Sequence, residues 1–213
     1  MPPFRRFTAV LPPQEHGDLL EWALANRERF RPSRISGARV DPALRVSQVT
    51  RDLSAVEAML TARFTALLPE MFAGTGTRPF PAPSIELELA AHGEGAHFAA
   101  HRDTSTGRTR KLHGAIGAGG GDRILSAVYY FHREPKSFSG GELRLHRFGS
   151  DGVPGDYVDV APEQNSLVVF PSWATHEVLA VRCPSGRFED NRFAVNCWFC
   201  RTLEPAAGAD APA

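Results

Sequence analysis

The sequence predicts a mainly β protein with flanking α-helices, a sandwich or jelly roll whose closed double sheet can hold a site in its mouth. Three observations carry this reading. Two stretches with helical apolar periodicity occupy the first 72 residues, and from Pro83 onward the pattern changes to short runs of β-formers separated by Gly, Pro and Asp. With 213 residues, 42% hydrophobic, and no internal repeat, the chain is long enough for one sizeable core. Residues 1–205 are therefore expected to form a single domain, with 1–82 a helical buttress carrying some strands, 83–201 the jelly-roll core, and 206–213 a disordered tail.

The elements follow in order. A short extended start is expected around residues 7–10. In 13–30, Leu19, Leu20, Trp22, Ala23 and Leu24 stand among polar residues as in an amphipathic helix. Residues 39–50 alternate β-formers around Asp41-Pro42 and read as a pair of strands or one bent strand. A second helix is expected over 54–72, with Ser54 and Glu57 in capping-box register and Val56, Met59, Leu60, Phe64, Leu67 and Leu68 on one face. Strands are expected at 84–91, 124–131, 141–147, 157–160, 166–170, 176–181 and 192–201. The glycine-rich 104–122 stretch is too long for an ordinary connection in a small domain and reads as a lid.

Composition excludes several function classes. The 24 basic residues balance the 24 acidic ones, so no global field attracts nucleic acid or an anionic membrane. No run approaches the roughly 20 apolar residues of a membrane span, and residues 1–11 lack a signal-type apolar stretch, so a cytoplasmic protein is expected. Three late cysteines, Cys183, Cys197 and Cys200, are an odd set. Because Cys197 and Cys200 sit three apart in a strand pattern, they are expected to pack rather than pair.

His101-Arg102-Asp103 is a weak motif alone, but residues two apart in an extended segment share a face, so His101 and Asp103 can reach one ion from a strand end. With His176 they form a two-histidine, one-carboxylate set, which covers three positions of an octahedral Fe(II) and leaves the others open. Downstream, Arg192, Ala194, Asn196 and Trp198 share one strand face, as do Ser126, Val128 and Tyr130 on another strand. An inward arginine costs several kcal/mol unless it meets an anion. A dicarboxylic cosubstrate could be that anion; on the residues alone a plain salt bridge to Glu189 or Asp190 is the simpler reading.

Taken together, the blocks His101-Arg102-Asp103, Arg123 through Phe131, Gly140-Gly141-Glu142-Leu143, Leu167 through Ser172, His176-Glu177-Val178, and Arg192 before Trp198 resemble the 2-oxoglutarate and Fe(II)-dependent oxygenase superfamily. The prolyl 4-hydroxylase-like branch is the nearest likeness, over roughly residues 85–199. The resemblance implies a cupin-like double-stranded β-helix in which His101, Asp103 and His176 are the iron ligands. It also implies that Arg192 pairs with the distal carboxylate of 2-oxoglutarate and that Tyr130 hydrogen-bonds the same group. Gly140-Gly141 would form a tight turn into a barrel strand. The implied activity is hydroxylation of an unactivated C–H bond with release of succinate and CO2, using Fe(II), 2-oxoglutarate and O2, with ascorbate as an accessory reductant. Asp103 favours hydroxylation over halogenation, since the family's halogenases carry a small residue there.

Where many relatives have a tyrosine that contacts the cosubstrate, this chain has His92, which reads as a strand-end residue facing solvent, with that cosubstrate contact as the other option. His113, His132 and His146 are expected at the surface, and Arg102, Arg108 and Arg110 in solvated positions. Trp173 reads as packing, with a substrate-pocket floor as the other option. The substrate is expected to be a prolyl residue of a peptide, an amino acid or another small molecule. The competing reading is a non-catalytic jelly-roll module that binds a metal or small ligand as a sensor.

Overall fold

Period-two alternation sorts the strand residues into two cores. The computed structural model describes residues 1–35, 39–80, 84–104, 122–147 and 156–201. In chain order the elements are β1 (Arg5–Thr8), α1 (Pro13–Ala25), β2 (Arg31–Pro32), β3 (Arg45–Val46), β4 (Gln48–Thr50), α2 (Glu57–Ala66), α3 (Leu68–Thr75), β5 (Ser84–His92), β6 (His97–His101) and β7 (Asp122–Phe131). There follow β8 (Ser139–Gly140), β9 (Leu143–His146), β10 (Tyr157–Val160), β11 (Ser166–Pro171), β12 (His176–Val178), β13 (Val181–Arg182) and β14 (Arg192–Arg201). One sheet has the order β1-β11-β7-β14-β5-β4-β2, and the facing sheet β10-β9-β12-β6-β3. All pairings within both sheets are antiparallel.

On β14, Phe193, Val195, Cys197 and Phe199 point to the helices, where Leu19, Leu60, Phe64 and Met71 close the larger core. The alternate residues point between the sheets. There Tyr130, Val168, Phe170 and Ala194 pack with Leu143 and Leu145. The expected jelly-roll arrangement, with helices buttressing one sheet, is what the chain adopts, and no helix among the described residues is long and apolar enough to cross a membrane.

Local chemistry corrects several expected boundaries. The helix expected over 54–72 is two helices, because Pro69 has no N–H to give the preceding turn and its ring clashes with the carbonyl four residues back. The first of them starts at Glu57 with Val56 as its N-cap and no capping side chain, so the Ser54–Glu57 box does not form. The first helix stops at Ala25, where the Asn26 side-chain amide and backbone N–H both donate to the Trp22 carbonyl, and one 3-10 turn (Arg27–Arg29) follows. The expected strand 176–181 divides into β12, in the facing sheet, and β13, which pairs with β8. The strand end expected at His101 belongs to β6, whose range was not among the expected strands because His97–His101 has two alanines and few β-formers. Of the 104–122 stretch only Thr104 and Asp122 are among the described residues; the rest of the expected lid and the expected tail at 206–213 lie outside them.

Candidate metal and carboxylate site

Antiparallel register brings the first three candidates together. His176 on β12 stands directly opposite His101 at the end of β6, and their rings lie 4.2 Å apart. Asp103 follows two residues later, tied down by its backbone N–H donating to the Ser172 carbonyl at 3.0 Å. Asp103 Oδ1 lies 3.7 Å from His101 Nε2, and its Oδ2 lies 3.6 Å from His176 Nε2. These donors all fall within 4.8 Å of one another, the one such group of three among the described residues.

Both imidazoles are set in the tautomer a metal requires. His101 Nδ1 lies 2.8 Å from the Ala99 carbonyl and His176 Nδ1 lies 2.9 Å from that of Ala174. A carbonyl can only accept, so each Nδ1 carries a proton and each Nε2 is the ring atom left facing Asp103. Burial, with His176 alongside, pushes the His101 pKa down to about 3, so the ring is neutral near pH 7. For Asp103 burial opposes ionisation, but the imidazoles of His176 and His101 and donors from Ser126 and Trp198 outweigh it and hold the carboxyl below the usual range. Ser126 Oγ donates to Asp103 Oδ2 at 2.6 Å and meets Ser172 Oγ at 2.9 Å. Phe98 stacks on His101 at 3.6 Å, and Arg45, from the short β3, lies 4.7 Å from the Phe98 ring centre while its Nη2 binds Glu88 at 2.7 Å.

The same cavity is lined by Tyr130 and Arg192, four and six residues along their strands from Ser126 and Trp198. Arg192 is the largest fully buried side chain, 1% exposed. Neither acid offered as its salt-bridge partner reaches it: Glu189 pairs with Arg187, and Asp190 with Arg133 and Arg187. Its guanidinium lies 4.8 Å from the Tyr130 ring centre. Tyr130 Oη and Arg192 Nε are both buried without a hydrogen-bond partner. Burial raises the Tyr130 pKa, so the phenol stays a donor. A buried guanidinium whose Nε has no partner, beside a buried phenol on the same cavity, suits a carboxylate.

Glycine makes room for this guanidinium. Gly141 has φ +73, and a Cβ there would stand 2.7 Å from Arg192 Cδ and 3.1 Å from its Nε; at Gly140, φ +72, a Cβ would meet the Ala180 carbonyl. The glycine pair thus shapes the turn, as expected, and also leaves space for Arg192.

His92 corrects an expectation. It is 5% exposed rather than solvent-facing, lines the cavity, and its Nδ1 lies 3.1 Å from Arg192 Nη1. The β5–β14 register puts the two residues directly opposite. Its place at the end of an alternating strand, on the same face as Glu86 and Glu88, was the signal available in the sequence. His132 is likewise buried, edge-on to Phe138, whereas His146 is half-buried and bonds Glu177 at 3.1 Å. Trp173 is 42% exposed and lies outside the cavity, beside Thr104 and Ile124. Arg102 turns to Thr175 Oγ1 at 2.9 Å. His113, Arg108 and Arg110 lie outside the described residues. All three cysteines are buried and unpaired, as expected.

Residues 87–200 match the family model described as the 2OG-Fe(II) oxygenase superfamily. An uncharacterised PKHD-type hydroxylase of Synechocystis is 30% identical over 197 residues, and the chain, 91% of which aligns, spans 61% of that relative's length. Among solved structures, a prolyl-4-hydroxylase of Pseudomonas putida is similar with a TM-score of 0.62 at 24% identity, covering 93% of this chain and 92% of the other. A prolyl hydroxylase of Trichoplax adhaerens, solved with a peptide fragment of the hypoxia inducible factor oxygen degradation domain, gives 0.67 at 17% identity, over 94% and 84%. Both likenesses bear on the fold.

Proposed function

Because the chain belongs to the 2OG-Fe(II) oxygenase superfamily, we propose that it is a 2-oxoglutarate-dependent hydroxylase in which His101, Asp103 and His176 hold Fe(II) and Arg192 with Tyr130 holds the distal carboxylate of 2-oxoglutarate. One observation carries the assignment: Arg192 Nε and Tyr130 Oη are buried without partners in the cavity that also contains the triad. A module that bound only a metal would have no use for this costly arrangement. When bound, iron and 2-oxoglutarate would let O2 hydroxylate an unactivated C–H bond, one oxygen atom going to the substrate and the other to succinate, which is released with CO2.

The chain's own groups orient and shield. The Ala99 and Ala174 carbonyls fix the imidazoles, Ser126 holds the carboxylate of Asp103, and Phe98 packs one histidine in place. Arg192 offers a planar fork that matches a carboxylate, and Tyr130 adds a neutral donor. Burial of Arg192 and Tyr130, each 1% exposed, strengthens each contact they make.

The first substrate class is a peptide bearing a prolyl residue, on the ground of the likeness to prolyl hydroxylases, one of them solved with a peptide. A free amino acid or another small molecule is the second. The test is succinate formation by the Fe(II)-loaded protein across a panel of peptides, amino acids and metabolites, each also scored for a mass gain of one oxygen. His176→Ala is expected to abolish turnover. Undiminished succinate formation in that variant overturns the assignment, and absence of calorimetric 2-oxoglutarate binding to the wild type points to a binding module instead.

A further inference from the structure

Among the described residues, His92 is the one buried titratable side chain that borders the cavity, touches the proposed cosubstrate clamp, and has no part in the function as stated so far. Arg192 Nη1 can only donate, so His92 Nδ1 must accept, which places the ring proton on Nε2 and requires a neutral imidazole. Burial first, and the guanidinium charges of Arg192 and Arg45 next, hold the His92 pKa well below its ordinary value and keep that lone pair available.

The bond engages one particular end of the fork. A guanidinium can grip a carboxylate side-on through Nε–H and Nη2–H, as Arg63 does with Glu15 at 2.7 and 2.6 Å and Arg144 with Asp159 at 2.8 and 2.9 Å in this same protein. In Arg192 the occupied nitrogen is Nη1, which is outside that edge, while Nε is buried and without a partner. Gly141 flanks Nε, and even a methyl group there would stand 3.1 Å from it. The edge is thus kept open on one side and the guanidinium pinned on the other.

We propose that His92 is a positioning residue for the cosubstrate: by accepting from Nη1 it fixes the rotation of the Arg192 fork, so that the Nε–Nη2 edge meets the distal carboxylate of a dicarboxylic 2-oxo acid. This rests on the reading of Arg192 and Tyr130 as the carboxylate clamp. It differs from a direct contact between His92 and the 2-oxo acid end of the same molecule, and the two make different predictions. A residue that acts through Arg192 affects only ligands that have a distal carboxylate.

The test is calorimetric binding to the full chain loaded with redox-inert Mn(II), comparing 2-oxoglutarate with 2-oxobutyrate, which lacks the distal carboxylate. His92→Leu is expected to weaken 2-oxoglutarate by about tenfold, the low end for a hydrogen bond to a charged group, and to leave 2-oxobutyrate unchanged within about twofold. His92→Asn places Oδ1 where Nδ1 stood and is expected to recover most of the loss. Equal weakening of both ligands in His92→Leu, no weakening of either, or no recovery in His92→Asn each overturns the proposal. Arg192→Met separates the underlying reading: it should erase the preference for 2-oxoglutarate over 2-oxobutyrate. If that preference survives, the clamp reading fails and His92 with it; if the preference is erased while His92→Leu changes nothing, only the role of His92 fails. Thermal unfolding of each variant identifies any that has lost its fold, and for such a variant at position 92 the His92→Asn pair decides.

Discussion

Gly141→Ala tests whether the site depends on the close approach of Arg192, and Gly95→Ala is its built-in control. The two glycines have nearly the same backbone, φ +73 and φ +72, so an alanine at either carries the same left-handed strain, about 1–2 kcal/mol. Their surroundings differ. A Cβ at Gly95 meets nothing within 4 Å, whereas at Gly141 it lies 2.7 Å from Arg192 Cδ and 2.8 Å from Val181 Cγ2. Ordinary carbon contacts are about 3.5–4.0 Å, so the arginine or the strand must give way by about 1 Å, and overpacking of this kind costs about 1–3 kcal/mol. Gly141→Ala should therefore destabilise by about 2–5 kcal/mol, still within the roughly 5–15 kcal/mol of a small domain, and Gly95→Ala by only about 1–2 kcal/mol. The second effect is on the ligand: a displaced fork forfeits charge-assisted bonds of about 1.5–3 kcal/mol, or about 10–100-fold in 2-oxoglutarate affinity. Urea unfolding and calorimetry on both variants read the two numbers. If Gly141→Ala binds 2-oxoglutarate as tightly as Gly95→Ala does, Arg192 does not grip the cosubstrate through the geometry described.

Two further outcomes follow from the same site. Ser126→Ala removes the 2.6 Å donor to Asp103 and is expected to weaken metal binding by about 10–100-fold with little change in fold; equal Mn(II) affinity in wild type and variant counts against Ser126 as the group that orients the carboxylate. Acid stability has a defined sign as well. His92 and His16 both have folded pKa values lowered by burial, so below about pH 6.5 the unfolded chain takes up protons that the folded chain does not. Their neutral burial costs nothing above that pH, and stability falls as pH drops below it, by up to about 1.4 kcal/mol per pH unit for His92. Urea midpoints of the metal-free protein between about pH 6.5 and 5, above the range where carboxylates begin to titrate, should decline, and less steeply in His92→Asn. A flat profile contradicts the buried neutral imidazole.

How much of this was legible in the chain depends on whether a feature is local. Alternation placed Arg192, Asn196 and Trp198 on one face of β14 and Tyr130 with Ser126 on one face of β7, because the side-chain period of a strand depends only on the strand itself. The three metal-type donors were legible only through the ordered blocks around them, since a histidine two residues before a carboxylate is a weak motif alone. The break at Pro69 was equally local and could have been read from the proline alone. His92 was different. Nothing in Ala90-Ala91-His92 says what lies across the sheet.

Residue types and strand faces are determined by the sequence by itself, since each follows from neighbours a few bonds away. Pairing register is not local: which residue of β5 faces Arg192, and which residue of β6 faces His176, depends on how strands far apart in the chain align to bury their apolar faces. That alignment put His92 against the guanidinium, Ser126 against Asp103, and Gly141 beside Arg192. The tertiary structure therefore decided which polar atoms remain buried and unsatisfied, and those atoms are where a carboxylate ligand is expected to bind.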